Sequence, residues 1–191
     1  MPLPAPAPRQ PIHTRKITFE GFLREDGLWD IEAELVDSKS DPIHMHERGL
    51  LPAGGAIHHM RVRLTVDDSL TIRAIATNME AAPFGNCQKA VDPVQKLVGT
   101  TLGAGWRKAI EGAMGGVAGC THLRELLFNV ATAAFQTIPV HLSREREARG
   151  ERLDPDAPPY FIGKCLSWDR EGPVVQRVLP MYYRGPGASG S

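Results

Sequence analysis

The order of patterns along this chain predicts an α+β fold: an antiparallel sheet of two successive hairpins, with helices packed on one face. Two observations carry the prediction. In the first half, apolar and polar residues alternate through two segments, each folded back at an Asp-containing turn, which is the signature of hairpins with one buried face. In the second half the apolar spacing changes to three and four, the period of helices with one buried stripe. Strands come first and helices after, so nothing calls for the crossovers of a parallel sheet. Of the 191 residues 42% are hydrophobic, enough to bury a substantial core in a single domain.

Residues 1–14 begin MPLPAPAPRQP, a Pro/Ala tract that cannot form a hydrogen-bonded ladder, and are expected to be a disordered arm. The single domain is expected over residues 15–180 and a flexible tail over residues 181–191. Ile17 and Phe19 alternate with polar neighbours, Glu25-Asp26-Gly27 supplies the turn, and Trp29, Ile31, Ala33 and Leu35 alternate more cleanly on the return. Asp30, Glu32 and Glu34 then fall on the wetter face. Residues 38–56, rich in Pro, Gly and charge, read as a loop. Its His44-Met45-His46 would suit a metal if extended, but no third ligand is near in sequence, so an exposed loop is the simpler reading.

In the second hairpin Met60, Val62, Leu64 and Val66 alternate with Arg61, Arg63 and Thr65, and Asp67-Asp68-Ser69 turns the chain into Leu70, Ile72 and Ala74. His58 shares the phase of Met60 and should point inward, whereas His59 falls with the arginines. Pro83, Gly85 and Asn86 place Cys87 on a loop leaving the sheet. Asp92-Pro93 is a helix start with proline at its first position, and this short helix should stop near Gly99. A second helix is expected over about residues 105–114.

Residues 115–138 hold the best helical pattern, with Leu123, Leu126, Leu127, Val130, Ala134, Phe135 and Ile138 on one stripe. Pro139 is expected to stop it. A separate charged helix should follow over residues 143–150, with a serine cap and a glycine stop. After an acidic, Pro-rich linker at residues 153–159, Tyr160-Phe161-Ile162 and Val174-Val175 bracket a turn at residues 169–172 and suggest a terminal hairpin or strand-like return carrying Cys165.

Composition narrows the function classes. Lys plus Arg and Asp plus Glu both number 22, so no net charge steers the chain to nucleic acid or an anionic membrane. No apolar run reaches the roughly 20 residues that span a bilayer. The start lacks the charged and apolar regions of a signal peptide, and three cysteines do not make a secreted disulfide framework. A cytoplasmic protein with reduced thiols is expected. Neither a phosphate-cradling glycine loop nor a dinucleotide fingerprint occurs.

The chemistry concentrates where a glycine-rich approach delivers Cys120 and His122 to a helix start. Backbone N–H groups and the helix dipole there favour an anion, so Cys120 would be partly thiolate and His122 a general base, with His58 and Asp30 or Glu125 orienting it or sharing protons. Such a site could abstract a proton or perform a retro-aldol-type cleavage on a small-molecule substrate without a cofactor. A second reading is a zinc or iron site on Cys87, Cys120 and His122, with Cys165, His58 or water as the fourth ligand. A third is a non-catalytic pocket for a small apolar ligand. The plain alternative to all three is a small buried cysteine beside a packing histidine. The open sheet edge left by two hairpins points to a homodimer.

The phrases Leu23-Arg24-Glu25-Asp26-Gly27-Leu28-Trp29-Asp30-Ile31-Glu32-Ala33, Ile57-His58, Met60-Arg61-Val62-Arg63-Leu64-Thr65-Val66-Asp67-Asp68, Leu97-Val98-Gly99, Gly105-Trp106 and Gly119-Cys120-Thr121-His122-Leu123 resemble the uncharacterised bacterial family called domain of unknown function 2889. The likeness covers about residues 15–180. Members are often encoded near genes for catabolism of aromatic and other hydrophobic compounds, so the resemblance implies a degradative context by association. The order of elements is also similar to the iron–sulphur cluster scaffold and sulphur-acceptor fold, in which three Cys with an Asp or His gather around a cluster or zinc. That likeness implies comparable places for Cys87, Cys120 and His122, although the scaffold's Cys-Gly-Asp and Leu-Pro-Pro-Val-Lys motifs are absent here.

Overall fold

Both hairpins form at the turns their sequences announce. Strand β1 (His13–Leu23) returns as β2 (Trp29–Lys39) through a tight turn in which Gly27 takes φ +80° and Asp26 Oδ1 accepts the Leu28 N–H. A positive φ is cheap only for glycine there. The segment expected to be a loop carries a small two-stranded hairpin of its own, β3 (Ile43–Met45) and β4 (Gly49–Leu51). Strand β5 (Ala56–Val66) then turns at Asp67 into β6 (Ile72–Ala81). The main sheet has four antiparallel strands in the order β1-β2-β5-β6, which leaves β1 and β6 at its edges.

The computed structural model describes residues 2–185, and the chain divides into two compact units, Met1–Leu142 and Ser143–Ser191. The division falls inside the span expected as one domain, residues 15–180, between Leu142 and Ser143. Residues 2–12 form no regular element, and β1 begins at His13, two residues earlier than the alternation suggested. Met1, at the head of the expected arm, and residues 186–191, most of the expected tail, lie outside the described residues.

The inner face of the sheet is a file of apolar side chains. Trp29, Ile31, Ala33 and Leu35 of β2 and Met60, Val62, Leu64 and Val66 of β5 are all buried, as period two requires. On β6, where the ladder to β5 shifts register beside Val66, Ile72, Ile75 and Met79 are buried and Ala74, expected in phase with Ile72, is exposed. The loop leaving β6 winds into 3-10 turns at Gly85–Ala90 and Asp92–Leu97, the second in place of the short helix expected after Asp92. Helix α1 (Trp106–Met114) buries Trp106, Ile110, Ala113 and Met114, and the Trp106 indole N–H donates to the Leu127 carbonyl at 2.7 Å. Helix α2 (Thr121–Ala148) covers the same core with Leu123, Leu126, Leu127, Val130, Ala134 and Ile138.

Helix α2 does not stop at Pro139, as the sequence suggested, and the charged segment expected to be a separate helix is its last part. A mid-helix proline removes one hydrogen bond and costs about 3 kcal/mol. Packing offsets it: beyond Pro139, His141 meets the Trp29 ring edge-on at 5.2 Å and Leu142 packs on the core. Along β1, Glu125 of α2 pairs with Arg15 and Thr137 packs on Gly21. Twelve helical residues rise roughly 18 Å and six strand residues roughly 20 Å, so α2 runs alongside β1.

In the second unit the turn at residues 169–172 forms, but it leads into helix α3 (Pro173–Val178) and not a strand. Pro173 at the first helical position, with its φ preset, explains the difference. Residues 160–162 likewise form turns, and Ile162, Val175 and Tyr182 make a small core of their own. No helix of the described residues is long and apolar enough to cross a membrane.

Candidate functional site

The apolar file on β2 ends in a charge. Asp37 shares the inward phase of Leu35 and is only 2% exposed. A buried carboxylate must be paired, and the register supplies the partners: Arg15 of β1 and His58 of β5 lie directly across from it. Arg15 donates through Nε to Oδ1 and through Nη2 to Oδ2, both at 2.8 Å, a two-pronged geometry that fits guanidinium to carboxylate. His58 Nδ1 lies 3.1 Å from Oδ2, and His13 Nε2 lies 3.2 Å from Oδ1.

The start of α2 closes over this row. The His122 ring stacks on His58 with centroids 3.8 Å apart and planes tilted by 32°, and its Nε2 lies 3.8 Å from Asp37 Oδ2. Its other nitrogen, Nδ1, is 3.7 Å from the Cys120 sulfur. One turn on, Glu125 pairs with the remaining Arg15 nitrogen, Nη1. Asp37, His58 and His122 each offer one ligand atom within 4.8 Å of the others, the one such group among the described residues.

Electrostatics follow from this packing. Burial pushes the Asp37 carboxyl up, but the hydrogen bonds and charge of Arg15, with His58 and His13 adding, hold it below the usual carboxylate range. Burial pushes His58 down, and Asp37 restores only part of that against Arg15 and His13. For His122 burial again leads, with His58 and Arg15 adding to the lowering and Asp37 opposing it. Two stacked imidazoles in one half-buried site therefore hold one proton more readily than two.

The residues expected at the site divide accordingly. His58, Cys120, His122 and Glu125 come together. Asp30 does not: it faces the outer side of β2, accepts from Thr65 Oγ1 at 2.6 Å and pairs with Arg24. It stands seven residues from Asp37, roughly 23 Å along the strand. Cys87, in the Gly85–Ala90 turn, packs against the core and is not part of the ligand group. Cys165 is exposed in the second unit, and His44 and His46 are exposed on and after β3. Asp37, Arg15 and His13 were missed, yet the alternation that placed Leu35 and Ile17 inward extends to Asp37, Arg15 and His13.

A concavity of about 460 Å³ lies on the opposite face of the sheet, lined by residues including Glu32, Glu34, Arg61 and Arg63. Four of its charges close on one another, Arg63 on Glu32 and Arg61 on Glu34, and neither His58 nor His122 lines it.

The family model described as protein of unknown function (DUF2889) matches residues 13–136. The chain belongs to this family. The matched span begins at His13 and takes in Arg15, Asp37, His58, Cys120, His122 and Glu125, so the whole polar cluster lies within the DUF2889 region, and residues 137–191 lie beyond it. No curated protein and no solved structure matches the chain, so the likeness to the iron–sulphur scaffold gains no support.

Proposed function

We propose that this DUF2889 protein is a small enzyme that moves a proton on a small-molecule substrate at the His58–His122 pair. One observation carries the reading: a buried carboxylate, Asp37, holds the Nδ1 side of a half-buried imidazole against which a second imidazole stacks. With Nδ1–H donated to Asp37, His58 presents the lone pair of Nε2 as a base, and the carboxylate stabilises the imidazolium that forms. Arg15 pins Asp37 so that the tautomer is fixed. The Cys120 sulfur, 3.7 Å from Nδ1, and Asp37, 3.8 Å from Nε2, position the His122 ring against His58.

Proton abstraction, or the retro-aldol-type cleavage that the same base permits, fits this arrangement. The base takes a hydroxyl proton, the alkoxide oxygen forms a carbonyl as the adjacent carbon–carbon bond breaks, the electron pair of that bond leaves as a carbonyl-stabilised carbanion, and the imidazolium returns the proton to that carbon. Aromatic catabolic intermediates are the first substrates to screen, given the genetic context the family resemblance implies. The experiment is to identify metabolites that accumulate when the gene is deleted and to assay their turnover by the purified chain. General-base catalysis contributes about 10²- to 10⁴-fold, so His58→Gln and His122→Gln should each lose activity on that scale with an unchanged circular dichroism spectrum. Full turnover in both variants would end the assignment.

A further inference from the structure

We infer that Asp37, His58 and His122 also bind a divalent transition-metal ion, and that this ion competes with proton transfer for the same imidazoles. The competition rests on the reading above; the metal site does not. Its basis is distance. Ligands about 2.0–2.1 Å from a tetrahedral ion stand about 3.3 Å from one another. Asp37 Oδ2 lies 3.1 Å from His58 Nδ1 and 3.8 Å from His122 Nε2, and the trio has ligand atoms mutually within 4.8 Å. Two imidazoles and one carboxylate are a donor set suited to zinc or iron(II), with the remaining position open to water or substrate.

The surroundings define how an ion would enter. Asp37 Oδ2 accepts from both Arg15 Nη2 and His58 Nδ1. An ion takes the second of these directions, and His58 moves its ring proton from Nδ1 to Nε2. Arg15 stays hydrogen-bonded to the ligating carboxylate, as outer partners of metal ligands commonly are, and its charge limits the affinity. The rings, now 32° apart, must splay, because the lone pairs of two ligating imidazoles have to converge on one point. Cys120 touches the His122 nitrogen facing away from Asp37, so it orients that ring and does not join the ion. The set therefore shares His122 with the Cys87, Cys120 and His122 combination that the sequence suggested, and His58 with the choices offered there for a fourth ligand.

The test uses the full chain, stripped with chelator and titrated with Zn²⁺ by calorimetry and with Co²⁺ by visible absorption. One ion per chain is expected, with cobalt ligand-field bands and no thiolate charge-transfer band. Cys87→Ser should bind unchanged. His58→Gln and His122→Gln should each weaken binding by at least about tenfold, since even outer-partner changes cost 10- to 100-fold. The near-isosteric glutamines, checked by circular dichroism, separate ligand loss from misfolding. Absence of a stoichiometric ion, binding that survives the double His→Gln variant, or a thiolate band abolished by Cys120→Ser would each overturn the site. If Zn²⁺ binds through these residues but leaves turnover unchanged, the proton-transfer reading falls and the metal site stands. If no ion binds but His58→Gln abolishes turnover, the reverse holds.

Discussion

Asp37→Asn removes the charge on which the inner end of the sheet is built while keeping nearly the same shape. The carboxylate is 2% exposed and accepts two Arg15 hydrogen bonds at 2.8 Å, with His58 at 3.1 Å and His13 at 3.2 Å. Breaking a fully buried ion pair from one side costs about 3–5 kcal/mol. Arg15 is 32% exposed and keeps Glu125 as a second partner, so it remains partly solvated, which lowers the expected loss to about 2–3 kcal/mol. The asparagine amide also turns a donor toward a guanidinium that can only donate. Urea unfolding at pH 7, followed by far-UV circular dichroism and Trp fluorescence, measures the loss. A double-mutant cycle with Arg15→Met should return a coupling of about 2 kcal/mol. An Asp37→Asn variant within about 0.5 kcal/mol of the parent, the scale of an ordinary surface change, would refute the view that this pair organises the strand ends.

Two further outcomes follow from other parts of the first unit. A Cβ on Gly21 would stand 2.1 Å from Thr137 Oγ1 and 2.8 Å from Thr137 Cβ, so Gly21→Ala should lower stability by about 1–3 kcal/mol through overpacking. Thr137→Ala should rescue only part of that, because the Cβ contact remains; a fully stable Gly21→Ala chain in urea unfolding would show that α2 does not press on β1 there. At the β5–β6 turn, burial pushes Asp67 up, but Ser69, the Thr71 N–H and Arg73 more than offset it and leave its carboxyl below the ordinary range. A depressed carboxyl contributes stability that is present above the unfolded value of about 3.9 and is lost as pH falls through the folded value. Asp67→Asn should therefore cost about 1 kcal/mol at pH 7, and its difference from the parent should shrink when unfolding is measured from pH 5 down to pH 3. A difference that is constant with pH would contradict this.

The hairpins were legible because strand patterning is local. Side chains alternate with period two, so Trp29 to Leu35 and Met60 to Val66 declare their inner face without reference to anything distant, and Asp26-Gly27 and Asp67 declare where the chain turns. The inward phase of His58 was readable for the same reason, as were α1 and the buried stripe of α2. Asp37, Arg15 and His13 carried the same phase signal, but a charged residue in an inward position looks like the end of a pattern until a partner is known. Asp30 and Cys87 drew attention by type and by loop position, neither of which specifies a neighbour.

What only the tertiary structure decided were the pairings that depend on register and on packing between elements distant in sequence. Arg15, Asp37 and His58 meet because antiparallel register sets them in one row across three strands, and His122 and Glu125 reach that row because α2 runs alongside β1. Helix α2 passes through Pro139 because contacts of His141 and Leu142 with the core offset a local penalty that the sequence alone presents as a stop. Local chemistry thus determined which elements form and which faces are apolar. The free energy of burying one carboxylate among partners from β1, β5 and α2 could be seen only once those elements were packed.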